Sequence, residues 1–117
     1  MFKQLNDKEF YVKSDEILSD NLSKEIDIEQ KLTKYFGKSF SYIKQRYRVV
    51  SRKTIFVTLE KNRLDYAKKH LLKKSCLEVM LDLGFSNESY FAKWFRKYTK
   101  MNPSEYRKIY GNSLKDC

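Results

Sequence analysis

The chain has little of what most catalytic or metal sites need, with only two cysteines and one histidine among 117 residues. Cys76 and Cys117 are too few for a disulfide framework and lack metal-ligand spacing, and His70 has no Cys or His partner at such spacing. A Gly-x-Ser-x-Gly motif is absent, and residues 37–39 (Gly-Lys-Ser) lack the earlier glycine of a phosphate-binding loop. The sequence therefore predicts no enzyme, no metal site and no cofactor.

Long apolar runs are also missing. No segment approaches the ~20 apolar residues of a membrane-spanning helix, and residues 1–7 have no apolar signal-peptide core. Hydrophobic residues still make up 41% of the chain, which suffices for the core of one domain or of two small subdomains. We therefore expect a cytoplasmic protein with no membrane partner.

Positive charge is what the chain has in excess, and it is unevenly distributed. The net charge is +10, but residues 1–30 carry four basic and eight acidic side chains, a net −4, which leaves +14 on residues 31–117. Such a density of positive charge attracts polyanions over long distances. Nucleic acid is the first candidate and an anionic membrane surface the second. The membrane alternative needs a free apolar helix face, whereas the aromatic positions here repeat in a pattern typical of a core.

Two octets, residues 41–48 and 89–96, share one pattern: Ser, Tyr, an apolar residue, three variable residues, an aromatic residue and Arg. They are 48 residues apart, and each follows shortly after a glycine. At ~100° per residue, the apolar and aromatic positions of each octet share one helix face. Polar and basic residues occupy the other face: Ser41, Lys44, Gln45 and Arg48 in the first copy, and Ser89, Lys93, Arg96 and Lys97 in the second.

A short helix, a glycine turn and a second helix with a basic outer face form the helix-turn-helix arrangement, whose second helix enters the major groove of DNA. Lys and Arg pair with guanine, Gln with adenine, and Ser with several bases. We therefore predict that the eight outer residues contact DNA, although merely solvated faces are the simpler alternative. Glu88 joins the predicted set with two open interpretations: it interacts with the positive end of its own helix, or it accepts a hydrogen bond from a cytosine amine.

Helix start and stop signals predict about seven helices and no strand. Residues 52–73 contain no Gly or Pro, and four of the five positions 55, 59, 63, 67 and 71 are apolar. This four-residue recurrence favours one long helix over the strand that residues 54–58 alone would suggest. The candidate N-terminal caps are Ser14, Asp27, Ser39, Ser75, Asn87 (or Ser86) and Asn102.

The predicted fold is all-α, with two helix-turn-helix subdomains joined by a long linker helix. The predicted bounds are 1–13 for an N-terminal tail or linker, 14–51 for the first subdomain, 52–73 for the linker helix, 74–111 for the second subdomain and 112–117 for a C-terminal tail. A linker helix of ~30 Å is close to the ~34 Å turn of B-DNA. Two recognition helices in successive major grooves are therefore expected.

A further pattern in the second half of the chain comprises Cys76, Val79, Met80, residues 83–87, Ser89, Tyr90, Phe91, residues 95–97, Pro103, Ser104, Tyr106 and Arg107. On these residues the second half resembles the DNA-binding domain of the AraC/XylS family of bacterial transcription regulators. The first half matches more loosely over residues 32–71, and the resemblance covers roughly residues 16–110. Departures from the family pattern are Thr33 and Met80 in place of Ala, Glu29 in place of an apolar residue, Ser51 in place of Gly and Asn102 in place of Thr.

This resemblance implies a sequence-specific regulator that binds double-stranded DNA, usually as an activator, in the cytoplasm at the bacterial nucleoid. About 15 residues precede the resembling segment, so no small-molecule effector is expected to bind here. The chain resembles either a stand-alone regulator of the MarA type or the C-terminal part of a longer one. RNA polymerase is a further candidate partner. The alternative function is a protein-interaction module that recruits or blocks RNA polymerase with weak, non-specific DNA binding.

Overall fold

The computed structural model describes residues 5–20, 22 and 25–111. Within these ranges there are seven α-helices and no strand, which confirms the all-α prediction. The chain divides into two compact units, Met1–Asn62 and Arg63–Cys117, and the boundary falls within the fourth helix. The helices are α1 (Asp7–Asp20), α2 (Glu25–Phe36), α3 (Phe40–Ser51), α4 (Ile55–His70), α5 (Cys76–Asp82), α6 (Glu88–Thr99) and α7 (Pro103–Tyr110).

Helix α1 covers residues 7–13, which were predicted to be part of a tail or linker; residues 1–4 and the predicted C-terminal tail, 112–117, lie outside the described residues. It begins at Asp7, where the Asn6 side chain accepts a hydrogen bond from the Glu9 amide at 2.8 Å, and the Glu9 carboxylate accepts one from the Asn6 amide at 3.2 Å. This reciprocal pair is a capping box. Ser14, the predicted cap, is instead buried in the middle of the helix. The sequence predicted only the second half of α1, after Ser14, because this polar serine interrupts an otherwise apolar inner face.

The first unit has a core formed by α1, α2, α3 and the start of α4. Helix α2 begins two residues before its predicted cap, Asp27, and Gly37 with a φ of 65° follows its last residue. The Tyr47 hydroxyl on α3 is hydrogen-bonded to Asp15 Oδ1 on α1 at 2.9 Å and to Thr58 Oγ1 on α4 at 2.8 Å. Burial raises the pKa of the Tyr47 hydroxyl far above its usual range. The apolar core comprises Phe10, Ile17, Leu18, Ile28, Leu32, Ile43, Tyr47, Ile55 and Leu59.

The linker helix is shorter than predicted, since α4 spans Ile55–His70 and not residues 52–73. Arg52 adopts a left-handed conformation with a φ of 64° and ends α3. The Thr54 side chain then accepts a hydrogen bond from the Val57 amide at 3.1 Å at the start of α4. Sixteen residues correspond to about 24 Å of helix. The helix that joins the units is therefore shorter than one turn of B-DNA.

The second unit contains the rest of α4 together with α5, α6 and α7. Ser75 caps α5 as predicted, because its hydroxyl accepts a hydrogen bond from the Glu78 amide at 3.1 Å. The Arg63 guanidinium donates to the Leu83 carbonyl at 2.9 Å and lies 4.8 Å from the centre of the Phe85 ring. These contacts hold α4 against the turn that precedes α6. The buried apolar residues of this unit are Ala67, Leu71, Val79, Met80, Leu83, Phe85, Phe91 and Phe95.

Candidate nucleic-acid interface

The 48-residue sequence repeat is also a structural repeat, because it extends beyond the octets to the caps on either side. Ser39 caps α3 and Asn87 caps α6, and each side chain accepts a hydrogen bond from the amide three residues later, at 3.2 and 3.0 Å. At the other end, Arg52 and Lys100 are both left-handed, with φ values of 64° and 65°. The two helices therefore begin and end in the same way.

Equivalent hydroxyl groups stabilise the last turn of both helices. Ser51 donates to the carbonyl four residues earlier at 2.7 Å and accepts from the amide two residues later at 3.2 Å. Thr99, which is 48 residues further along, makes the same two hydrogen bonds at 2.9 and 3.2 Å. The side-chain oxygen thus stabilises the turn into the next helix in each copy.

The predicted inner and outer faces of both helices are confirmed. Ile43 and Tyr47 are buried on α3, and Phe91 and Phe95 are buried on α6. All nine predicted DNA-contact residues are exposed: Ser41, Lys44, Gln45 and Arg48 on α3, and Glu88, Ser89, Lys93, Arg96 and Lys97 on α6. Their exposure leaves them accessible to a ligand, and their contact with DNA stays a prediction.

The four predicted contact residues of the first copy lie together in one groove between α3 and the start of α4. This groove has a volume of about 550 Å³, and Phe40 and Phe56 also line it. Lys44 Nζ lies 5.0 Å from the centre of the Phe40 ring, within the range of a cation–π contact. The groove therefore combines positive charge, a Gln amide and aromatic surface.

The predicted residues of the second copy do not lie in one groove. Ser89 and Lys93 line a groove of about 540 Å³ together with Tyr90 and the turn before α6. Glu88 lines a different groove, between α5, α6 and the start of α7. As the first residue of α6, Glu88 lies where a carboxylate interacts favourably with the positive helix end. This position favours the first interpretation of Glu88 without excluding the second.

Three exposed aromatic side chains near these faces were absent from the predicted set. Tyr42 and Tyr90 occupy the same position in the two octets and are 44% and 66% exposed. Their shared place in the repeat was a usable signal. Phe56 is 55% exposed beside the first copy. Phe56 lies outside the octets, in the predicted linker helix, so the repeat did not indicate a contact there.

The single histidine of the chain lies in a polar cluster of the second unit. The His70 ring lies 4.0 Å from the Tyr66 ring, and the Tyr66 hydroxyl donates to Asp82 Oδ2 at 2.6 Å. Lys74 Nζ donates to the same carboxylate oxygen at 3.1 Å. Burial lowers the pKa of His70, as do the nearby lysines, Lys74 foremost. This cluster ties α4 to α5, which gives His70 a structural role.

Two further properties concern the described residues alone. No group of three or more His, Cys, Asp or Glu side chains in residues 5–20, 22 and 25–111 is arranged to hold a metal ion. Within the same ranges, every helix is too short or too polar to cross a bilayer.

Comparison with known proteins agrees with the geometry of the two copies. Residues 32–109 match the family described as helix-turn-helix domain. Over 76 residues the chain is 36% identical to an uncharacterized HTH-type transcriptional regulator in the cgkA 5′ region of Pseudoalteromonas carrageenovora. That match covers 65% of this chain and 46% of the relative, so the chain spans about half the relative's length.

Solved structures share the fold. The C-terminal domain of AraT, a response regulator from Geobacillus stearothermophilus, has a TM-score of 0.75 at 17% identity, covering 92% of this chain and 91% of that one. A probable AraC family transcriptional regulator from Rhodopseudomonas palustris has a TM-score of 0.68 at 23% identity, covering 89% and 99%. The family match includes both octets and their caps. The chain therefore belongs to the AraC-type helix-turn-helix domains, a class of DNA-binding transcription regulators and not of enzymes.

Proposed function

We propose that the chain is a sequence-specific activator of the AraC/XylS type that inserts α3 and α6 into successive major grooves of one DNA duplex. The observation that carries this proposal is the structural repeat: two helices with equivalent caps present polar, exposed outer faces. Both faces belong to a segment with a net charge of +14. Phosphate attraction supplies much of the affinity, and side chains at the groove supply the specificity.

The two outer faces differ in their base-reading chemistry. Helix α3 presents Gln45, whose amide suits adenine, beside Lys44 and Arg48. Helix α6 presents Lys93 and Arg96, which suit guanine. We therefore expect a bipartite DNA site with different half-sites, bound by one copy of the chain.

The place and partners of this activity are also part of the proposal. The regulator acts in the cytoplasm at the nucleoid, with RNA polymerase as its protein partner, and no small-molecule effector binds the segment described here. The proposal concerns this chain alone, because the match covers only 46% of the relative's length.

A selection of binding sites from random DNA, followed by fluorescence anisotropy over a range of salt concentrations, tests the proposal. We expect binding to the selected site to be at least ~10³-fold tighter than to random DNA at physiological salt. A matched variant with Lys93 and Arg96 both changed to Ala should lose most of this preference. Weak binding without sequence preference would instead support the alternative of a protein-interaction module for RNA polymerase.

A further inference from the structure

The groove between α3 and the start of α4 has an equivalent in the groove that Glu88 lines, between α6 and the start of α7. Five positions that line the first groove have a counterpart, 48 residues later, that lines the second. Each groove lies between an outward-facing helix and the start of the next helix. At the 48-residue offset the paired positions are 40 and 88, 44 and 92, 54 and 102, 55 and 103, and 56 and 104. The backbone framework is therefore shared, and the side chains decide what each groove binds.

The side chains at these paired positions differ in charge and in aromatic character. The first groove has Lys44 and Phe56 where the second has Ala92 and Ser104. Phe40 of the first groove is replaced by Glu88 in the second. None of the described residues that line the first groove is acidic. The first groove therefore favours a negatively charged ligand more than the second does.

Phe56 is an exposed aromatic residue of the first groove. It is the second residue of α4 and is 55% exposed, whereas the preceding Ile55 is buried in the core. Its ring lines the same groove as Gln45 and Arg48. A ligand that covers this exposed aromatic ring removes its apolar surface from water, which stabilises the complex.

We infer that Phe56 is a further sequence-reading residue, which contacts the C5 methyl group of a thymine in the half-site of α3. This inference rests on the proposed function. The thymine methyl group is an apolar feature of the major-groove edge, and Phe is among the side chains that contact it. Lys44 and Arg48 in the same groove attract the phosphates on either side of that base. A protein partner seated on Phe56 would have to accommodate these two positive charges as well.

A deoxyuridine scan tests the contact directly, because deoxyuridine pairs as thymidine does but lacks the C5 methyl group. Each thymine of the selected site is replaced singly, and binding of the wild-type chain and of Phe56→Ala is measured by anisotropy. At one position of the α3 half-site, the wild type should lose about fourfold in affinity, the value of burying one methyl group. Phe56→Ala should lose about fourfold on the unmodified site and nothing further from deoxyuridine at that position.

Two variants serve as controls. Val57→Ala shortens the adjacent residue, which is 53% exposed but does not line the groove, and should leave binding unchanged. Ser104→Ala alters the equivalent position of the second groove and should leave the deoxyuridine profile unchanged. Circular dichroism of all three variants checks that the fold is intact.

The outcomes separate this inference from the proposed function. Additive losses at every scanned position would overturn the thymine contact while the regulator proposal stands. So would unchanged DNA binding of Phe56→Ala accompanied by lost binding to RNA polymerase, because Phe56 would then contact protein. If the selection yields no preferred site, the proposed function and this inference both fail.

Discussion

Lys93 is an exposed base-reading candidate of α6, one turn after Ser89 on the outer face. We expect Lys93→Ala to weaken binding to the selected site by ~1–3 kcal/mol, and binding to random DNA by less, because a lysine that pairs with guanine contributes only on its own sequence. Anisotropy titrations on both DNAs measure the difference.

A charge-matched control is available on α7. Lys108 is exposed and lies outside the predicted contact set. Lys108→Ala removes the same charge and should affect both DNAs equally, through long-range attraction alone. If Lys93→Ala behaves like this control, Lys93 contacts phosphate and carries no sequence information.

His70 is the single histidine of the chain, so no second histidine contributes to the dependence of stability on pH. Burial and the nearby lysines lower its pKa below the ordinary value of 6.5 in the folded state. The unfolded chain therefore binds the proton more readily than the folded one. Stability from neutral His70 is fully present above pH 6.5 and is lost as the pH falls through 6.5 toward the lower folded pKa.

Urea denaturation at a series of pH values tests this expectation. The free energy of unfolding of the wild type should decrease between about pH 7 and pH 5.5, the range in which histidine titrates. His70→Gln keeps a polar side chain of similar size and should be flat over the same range. An equal decrease in both proteins would assign the pH dependence to carboxylates such as Asp82.

At the scale of single elements, the packing of α1 into the core of the first unit was not predicted from the sequence. Phe10 is buried, its ring lies 4.8 Å from the Phe36 ring, and the Arg46 guanidinium lies 4.5 Å from its centre. Arg46 also donates to Asp7 Oδ1 at 3.1 Å. The acidic N-terminal helix is thus packed on α2 and α3, and α3 depends on it for its core.

Truncation of Phe10 measures how much α1 contributes. Phe10→Ala should lower the free energy of unfolding by ~3–5 kcal/mol, as for other fully buried phenylalanines. Val12→Ala, on the exposed side of the same helix, should change it by less than ~0.5 kcal/mol. Chemical denaturation measures the free energy of unfolding of both variants. Equally small decreases would mean that residues 7–13 contribute little to the stability of the first unit.

At the scale of the whole molecule, the question is whether both outer faces bind one duplex. If both faces bind one duplex as proposed, the two half-sites should have a preferred spacing of about one helical turn. Insertion of about five base pairs between them rotates one by roughly half a turn. Affinity should fall to that of a single half-site, and the slope of log affinity against log salt should become shallower, because fewer phosphates are neutralised.

The control for this insertion keeps the spacer length and changes its sequence, which should leave affinity nearly unchanged. Footprinting on both DNAs shows the protected length. Unchanged affinity and footprint after the insertion would mean that only one helix docks, and the bipartite proposal would be wrong.

The sequence by itself determined the features that depend on neighbours within one or two turns. The caps Ser39, Ser75 and Asn102 were predictable because each side chain bonds an amide three residues later. The buried and exposed faces of α3 and α6 followed from helical periodicity alone. The 48-residue repeat, which led to the family, is likewise a property of the sequence.

Tertiary structure decided the features that depend on distant residues. Ser14 reads as a cap, yet it is buried because Phe10, Ile17 and Leu18 beside it pack into the core of the first unit. The helix predicted over residues 52–73 begins only at Ile55, because Arg52 adopts a left-handed conformation that its sequence neighbours do not predict. The groove that unites Phe56 with Gln45 and Arg48 exists only because α4 begins against α3. Local sequence selects a helix and its polar face, but packing between helices decides which side chains meet.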